Sequence, residues 1–246
     1  MRNYRSYRGW DNESLCKNYY AHSSTLEDVY ELLLMLTSDQ RYKLDRLRIK
    51  GRRARSISRY LLSHEPMSDL WNLLRVPVQN FVQSVGTDDI RSFPRVFQET
   101  SRAISDHPEF KKFLSCIAHL VKAIRPGVTE IEITLHQMCI YADVLGEATN
   151  SPEGTHQDGA DYIVSALVIE RSGVLGGESV VYFRHPDGPM ECLRRTLQPG
   201  EGLFQADRNT PLWHDVTPIH EDPSTPPPYG HRSIFGLDIN IMKESQ

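Results

Sequence analysis

The sequence predicts an α+β protein, with a helical first half to about Pro126 and a jelly roll or similar double sheet over residues 127–246. Three observations predict it. Apolar residues recur at three- and four-residue spacing before Pro126. After Pro126-Gly127 the pattern changes to short β-rich runs. Those runs are separated by Gly, Pro and Asn, the residues that tight turns need. A single domain of 246 residues is expected, in which 1–126 gives mainly helical support and 127–246 the β core.

In the first half, Thr25–Leu36 carries Leu26, Val29, Leu32, Leu33 and Leu36 behind a cap candidate, Ser24 or Thr25. Phe97–Ile124 is a second helical stretch, interrupted near Asp106–Pro108. Its apolar stripe is Phe110, Phe113, Leu114, Ile117, Leu120, Val121 and Ile124. Between them Arg41–Arg59 holds nine Lys or Arg against one acid, Asp45. Such a run ordinarily forms a solvated face.

In the second half, Glu130–Tyr141 alternates, with Ile131, Ile133, Leu135, Gln137, Cys139 and Tyr141 on one face. Tyr162–Ile169 is apolar on both faces, as a strand covered on both sides is. Ser179–Phe183, Cys192–Leu197, Leu203–Ala206, Leu212–Thr217 and Ser233–Ile241 complete the set. Pro199-Gly200-Glu201-Gly202 is a turn, and Pro223–Pro228 an exposed Pro-rich loop.

Lys and Arg total 28 against 32 Asp and Glu, a net charge of −4 that does not describe a dedicated nucleic-acid binder. The four cysteines form no CxxC pair, so neither a zinc site nor a disulfide framework is expected. With no apolar run of membrane-spanning length and no secretory signal, a reducing, cytoplasmic setting is expected.

The chemistry centres on Gly154-Thr155-His156-Gln157-Asp158-Gly159. On an extended chain, positions i and i+2 point the same way, whereas on a helix they diverge by roughly 200°. An imidazole and a carboxylate on one side supply two corners of the 2-His-1-carboxylate triad that binds non-haem iron(II) and leaves positions open. His214, in Leu212-Trp213-His214-Asp215-Val216, is the best third corner. A bare His-x-Asp is a common accident and reads equally as a polar turn. Arg232, at the start of the last strand, adds a guanidinium suited to a carboxylate in fork geometry. The ordered set of HxD, His and Arg on a β pattern is far less accidental than any member alone.

The segment from Ser151 to Tyr162, with Gly176-Gly177-Glu178-Ser179 and Trp213-His214-Asp215-Val216-Thr217-Pro218-Ile219, resembles the 2-oxoglutarate/iron(II) dioxygenases of the L-isoleucine 4-hydroxylase family of free amino-acid oxygenases. The likeness spans about Gly127–Ile241. It implies a double-stranded β-helix core and the use of Fe(II), 2-oxoglutarate and O2. By position it makes His156, Asp158 and His214 the metal ligands and Arg232 the partner of the distal carboxylate of 2-oxoglutarate. The chain departs from the family at Cys139, where an arginine is expected.

The implied reaction oxidises an unactivated C–H bond of a free, aliphatic L-amino acid by hydroxylation, with succinate and CO2 as co-products. Relatives that close rings make oxidative cyclisation of an amino acid such as valine, to an aziridine, an alternative. Asp161 is the candidate for the substrate ammonium, Ile234 for the pocket floor, and Gln137 and Tyr141 for hydrogen bonds to substrate or cosubstrate. Each of these has an ordinary packing or surface role as its rival. The basic run motivates a nucleic-acid demethylase as a second alternative, but that pattern expects another Arg soon after Arg232, and Ser-Ile-Phe-Gly-Leu-Asp follows instead. A non-enzymatic cupin-like binding domain is the third, since a jelly roll alone implies no activity. The expected partner is therefore a small amino acid, not nucleic acid or membrane.

Overall fold

The computed structural model describes residues 53–78, 97–142, 148–149, 151, 154–185, 188–225 and 230–245. Two antiparallel strands, β1 (Arg53–Glu65) and β2 (Leu70–Val76), lead to a short β3 (Gln98–Glu99). Helices α1 (Arg102–Ser105) and α2 (Pro108–Ile124) follow. Then come β4 (Val128–Tyr141), β5 (Tyr162–Ser172), β6 (Val174–Gly176), β7 (Ser179–His185) and β8 (Gly188–Arg195). The chain finishes with β9 (Gly202–Ala206), β10 (Leu212–Val216), β11 (Ile219–Glu221) and β12 (His231–Glu244).

The large sheet runs β2-β1-β4-β12-β5-β9, with β3 parallel on β1. A smaller sheet runs β10-β7-β8, and β11 pairs with β6. This double-sheet arrangement is that of a double-stranded β-helix. β4 and β12 form its spine, paired without a break from His231↔Tyr141 to Ile241↔Ile131.

α2 covers one face of the large sheet. Its boundary is encoded locally: His107 caps it by accepting the Glu109 N–H, and Pro108 occupies the first turn, where a missing N–H costs nothing. The pair breaks α1 from α2 where the sequence predicts the interruption. The stripe Phe110, Phe113, Leu114, Ile117, Ala118 and Val121 is buried against Tyr60, Ile131, Ile133, Leu135 and Phe235. Phe110 meets the Phe235 ring edge-on, with centroids 6.0 Å apart. Each such side chain contributes roughly 1.5–3 kcal/mol by leaving water.

The mainly helical expectation for residues 1–126 is corrected for its described part. Residues 53–76 form two strands that extend the large sheet, and β1 pairs with β4 from Arg53↔Ile140 to Ser63↔Glu130. The physical reason lies in Arg53-Ala54-Arg55-Ser56-Ile57-Ser58-Arg59-Tyr60, which alternates with period two beneath its charge. The Thr25–Leu36 helix and residues 41–52 of the basic run lie outside the described residues. From Val128 onward there are nine strands among the described residues. β8 ends at Arg195, short of the predicted Leu197. Cys116, Cys139 and Cys192 are free thiols. No helix among the described residues is long and apolar enough to cross a membrane.

Parity along the spine decides which residues reach the site. Phe235, Leu237 and Ile239 point toward α2. Arg232, Ile234, Gly236 and Asp238 therefore point the other way, into the space between the two sheets. Opposite them on β4 stand Ile140, Met138, His136 and Thr134. β1 adds Arg53 and Arg55, opposite Ile140 and Met138, to the same face.

Candidate active site

His156 and His214 are joined first by their backbones. The His156 N–H donates to the His214 carbonyl at 2.9 Å, and the His214 N–H returns the bond at 3.0 Å. The HxD segment is thus an extra extended piece on the edge of β10, and its neighbouring rings lie 4.4 Å apart. Asp158 closes the group. Its Oδ1 lies 3.4 Å from His156 Nε2 and its Oδ2 3.3 Å from His214 Nε2. Ligand atoms of the three residues all lie within 4.8 Å of one another.

That spacing fits one metal ion. With ligand bonds of about 2.0–2.2 Å, neighbouring donors around a metal sit about 3 Å apart. The donor chemistry fits as well. His156 Nδ1 is 2.7 Å from the Gly154 carbonyl, so Nδ1 carries a proton and Nε2 is the nitrogen turned toward Asp158. His214 Nδ1 faces Asp207 Oδ1 at 3.9 Å. Burial pushes the Asp158 carboxyl up, but hydrogen bonds from His156 and His214, and their charges, outweigh it and hold the group well below the usual carboxylate range.

The turn around Asp158 is tied down by side chains. Gln157 Nε2 lies within 2.8–3.0 Å of the carbonyls of Asp207, Thr210 and Leu212. Asp207 Oδ2 accepts the Gly159 N–H at 2.7 Å. Asp207 is wholly buried, and that burial pushes its carboxyl up to about 6 against the pull of His214.

Arg232 is also wholly buried, and Nε, Nη1 and Nη2 are all without a hydrogen-bond partner. Burial, and then the charge of Arg171 directly opposite on β5, brings its pKa down to about 10. Arg171 Nη1 is likewise buried without a partner. Unpaired buried guanidinium nitrogens are costly, and an anion removes the cost. Gly176 and Gly177, both at positive φ, fold the chain down onto this pair. A Cβ on Gly177 would stand 3.1 Å from both Arg232 Cδ and Arg171 Nη1.

The triad opens into a cleft of about 510 Å³, its open mouth included. Arg53, Arg55, His136, Ser165, Gly236 and Asp238 are among the residues that line it with the triad.

A family model described as 2OG-Fe dioxygenase matches residues 37–238. The chain belongs to the 2OG-Fe dioxygenase family. Its members use Fe(II), 2-oxoglutarate and O2, so this dioxygenase is an Fe(II)/2-oxoglutarate-dependent enzyme. Among solved structures, a bsmA homolog from Methylobium petroleophilum PM1 is 24% identical, with TM-score 0.65, covering 79% of this chain and 74% of that one. IDO from Bacillus thuringiensis is 17% identical, with TM-score 0.66 and coverage of 92% and 99%. The Fe(II)/(alpha)ketoglutarate-dependent dioxygenase TqaL is 14% identical, with TM-score 0.54 and coverage of 91% and 89%. These likenesses show the fold. No curated protein sequence matches.

Three site expectations need correction in this dioxygenase. Asp161 does not reach the cleft. Its Oδ1 pairs with Arg208 at 2.5 Å and its Oδ2 accepts the Ile241 N–H at 2.8 Å, so it clamps the start of β5 to β12. Gln137 stands on the α2 side of β4, where its Oε1 accepts from Ser56 at 3.2 Å. Tyr141 shares that side, its ring 6.2 Å from His231. The odd-numbered face of β4 is the one turned away from the triad. Cys139 lies there too and accepts a hydrogen bond from Ser233, so the departure from the expected arginine falls outside the cleft. Ile234 is fully buried among Met138, Val168 and Val181, on the face of Arg232.

Sequence reasoning missed Arg53, Arg55, His136 and Asp238. The first two sat in a charge run read as a solvated face. Asp238 had a signal of its own, an acid in the middle of an apolar strand, which is rarely buried without a partner.

Proposed function

We propose that this dioxygenase hydroxylates an unactivated C–H bond of a free aliphatic L-amino acid. In this reading His156, Asp158 and His214 hold iron(II), and Arg232 binds the distal carboxylate of 2-oxoglutarate. The observation that carries it is the His-Asp-His triad opening into a small cleft, with a buried, unpartnered arginine on the adjoining strand face. A recessed cleft lined by a few polar groups beside the triad suits a small molecule better than a polymer. Arg53 and Arg55 of the basic run fit that reading as well, because both line the cleft.

Bound iron(II), with 2-oxoglutarate and O2, supplies the oxidising power for C–H cleavage and yields succinate and CO2. The chain's own residues position and protect that chemistry. The Gly154 carbonyl fixes the His156 tautomer. Asp158 offers an oxygen toward each imidazole and balances charge. Arg232 sets the direction of the cosubstrate along β12. A Cβ on Gly236 would meet His136 Cβ, the Val164 carbonyl and Met138 Cε at 3.7–3.8 Å, all ordinary contact distances. Met138 and Val216 line the cleft as apolar wall and limit water at the reacting carbon.

The test is anaerobic loading with iron(II) and 2-oxoglutarate, then exposure to O2 with a panel of amino acids. Succinate formation with a product heavier by one oxygen atom is expected. A product lighter by two hydrogens would replace hydroxylation with ring closure or desaturation. Succinate that no amino acid stimulates would end the proposal.

A further inference from the structure

The wall of the cleft facing the metal triad carries a chain of three polar groups. Arg55 Nη2 donates to His136 Nδ1 at 2.8 Å. The opposite ring nitrogen, Nε2, therefore carries the proton and donates to Asp238 Oδ2 at 2.9 Å. His136 and Asp238 are only 4% and 8% exposed, and all three residues line the cleft. They come from three adjacent strands: β1, β4 and β12. The Arg55 guanidinium also lies over the Phe97 ring, 4.7 Å from its centroid.

We infer that this wall is the recognition site for the charged end of the substrate: Arg55 takes the α-carboxylate and Asp238 the α-ammonium, with His136 holding the two apart. The inference rests on the amino-acid reading given above.

The spacing supports it. Imidazole nitrogens are about 2.2 Å apart, so the two hydrogen bonds place guanidinium and carboxylate no more than about 8 Å from each other. An α-amino acid has about 3 Å between ammonium nitrogen and carboxylate oxygen. Adding a hydrogen bond of about 2.8 Å at each end bridges the same gap. Charge order supports it too. Arg53 and Arg55 make one end of the wall positive, and Asp238 makes the other negative. The imidazole between them holds the guanidinium and the carboxylate apart, one at each ring nitrogen. Burial pushes the His136 pKa down, and the Arg55 charge adds to this against the opposing pull of Asp238. Asp161, which the sequence suggested for the ammonium, has both oxygens engaged elsewhere.

The experiment uses anaerobic protein loaded with iron(II) and 2-oxoglutarate. It is titrated calorimetrically with L-valine, L-leucine and L-isoleucine, and with the des-amino acid and the carboxamide of each. Wild type is expected to bind the best zwitterion about tenfold or more tightly than either analogue, the effect of one charge-assisted hydrogen bond. Asp238→Asn should lose the preference over the des-amino acid and keep the preference over the amide. Arg55→Met should do the reverse. Equal weakening toward all three ligands in both variants would show a purely structural wall and overturn the assignment. If these variants fail to fold, the wild-type comparison still decides, and absence of discrimination there overturns it. Wild type whose succinate formation no amino acid stimulates overturns the parent reading as well. Wild type that is stimulated but does not discriminate overturns this assignment alone.

Discussion

His156 and His214 exchange both backbone hydrogen bonds, so the main chain brings their side chains together. The pair is a site prepared in advance. Asp158 is then held against both imidazoles by the Gln157 anchor.

Because the backbone supplies the pairing, His214→Ala is expected to keep the fold and lose the ion. Far-ultraviolet circular dichroism should match wild type while iron per chain and succinate formation fall to background. His156→Ala and Asp158→Ala should behave alike. Normal iron content in any of the three would remove that residue from the ligand set.

Arg232→Met should trade function for stability. The guanidinium is buried without partners beside Arg171. Its replacement is expected to stabilise the ligand-free protein by about 1–3 kcal/mol. The 2-oxoglutarate requirement should rise sharply, and added 2-oxoglutarate, expected to raise the unfolding temperature of wild type, should leave that of the variant unchanged. A destabilised variant with an unchanged requirement would contradict both parts.

Asp207 makes the metal-free protein sensitive to pH. Burial raises its carboxyl from the ordinary 3.8 to about 6, so folding favours the protonated form. Its contribution is therefore full below the ordinary value and is lost as pH rises through about 6, a change of ~3 kcal/mol at most. Denaturant unfolding of wild type and Asp207→Asn across pH 4–8 should show a stability difference that shifts by this amount in favour of the Asn variant as pH rises. Parallel curves would mean that Asp207 is already ionised in the folded state.

Gly177→Ala tests the cover over the arginine pair. The position has φ +66, and a Cβ would meet Ile219 Cγ2 at 2.8 Å. The left-handed backbone alone costs about 1–2 kcal/mol, and the clash adds to it. Loss of about 2–4 kcal/mol in chemical denaturation is expected, with a raised 2-oxoglutarate requirement because Arg232 Cδ must also move. A variant as stable as wild type would show that the turn can relax without cost.

The sequence by itself determined the β core, its approximate strand positions, the α2 stripe, and the His-x-Asp, His and Arg order. These are local patterns: period two, helical spacing, and residue types two apart on an extended chain. Those segments also pointed to the broad 2OG-Fe dioxygenase family, which the family match over residues 37–238 shows. What only the tertiary structure decided was which face each strand turns to the cleft. Gln137 and Tyr141 share the polar, hydrogen-bonding chemistry of site residues, yet the parity of β4 sends them toward α2, while His136, one position away, faces the triad. Asp161 stands three residues after Asp158 and is captured by Arg208 and the Ile241 N–H. Arg53 and Arg55 belong to a charge run that composition assigns to solvent, and their pairing with β4 carries them inside. A strand has two faces, and a single sequence reveals that they differ before it reveals which one is covered by helix and which by the second sheet. That choice is made by long-range pairing between β1, β4 and β12, whose partners lie far apart along the chain.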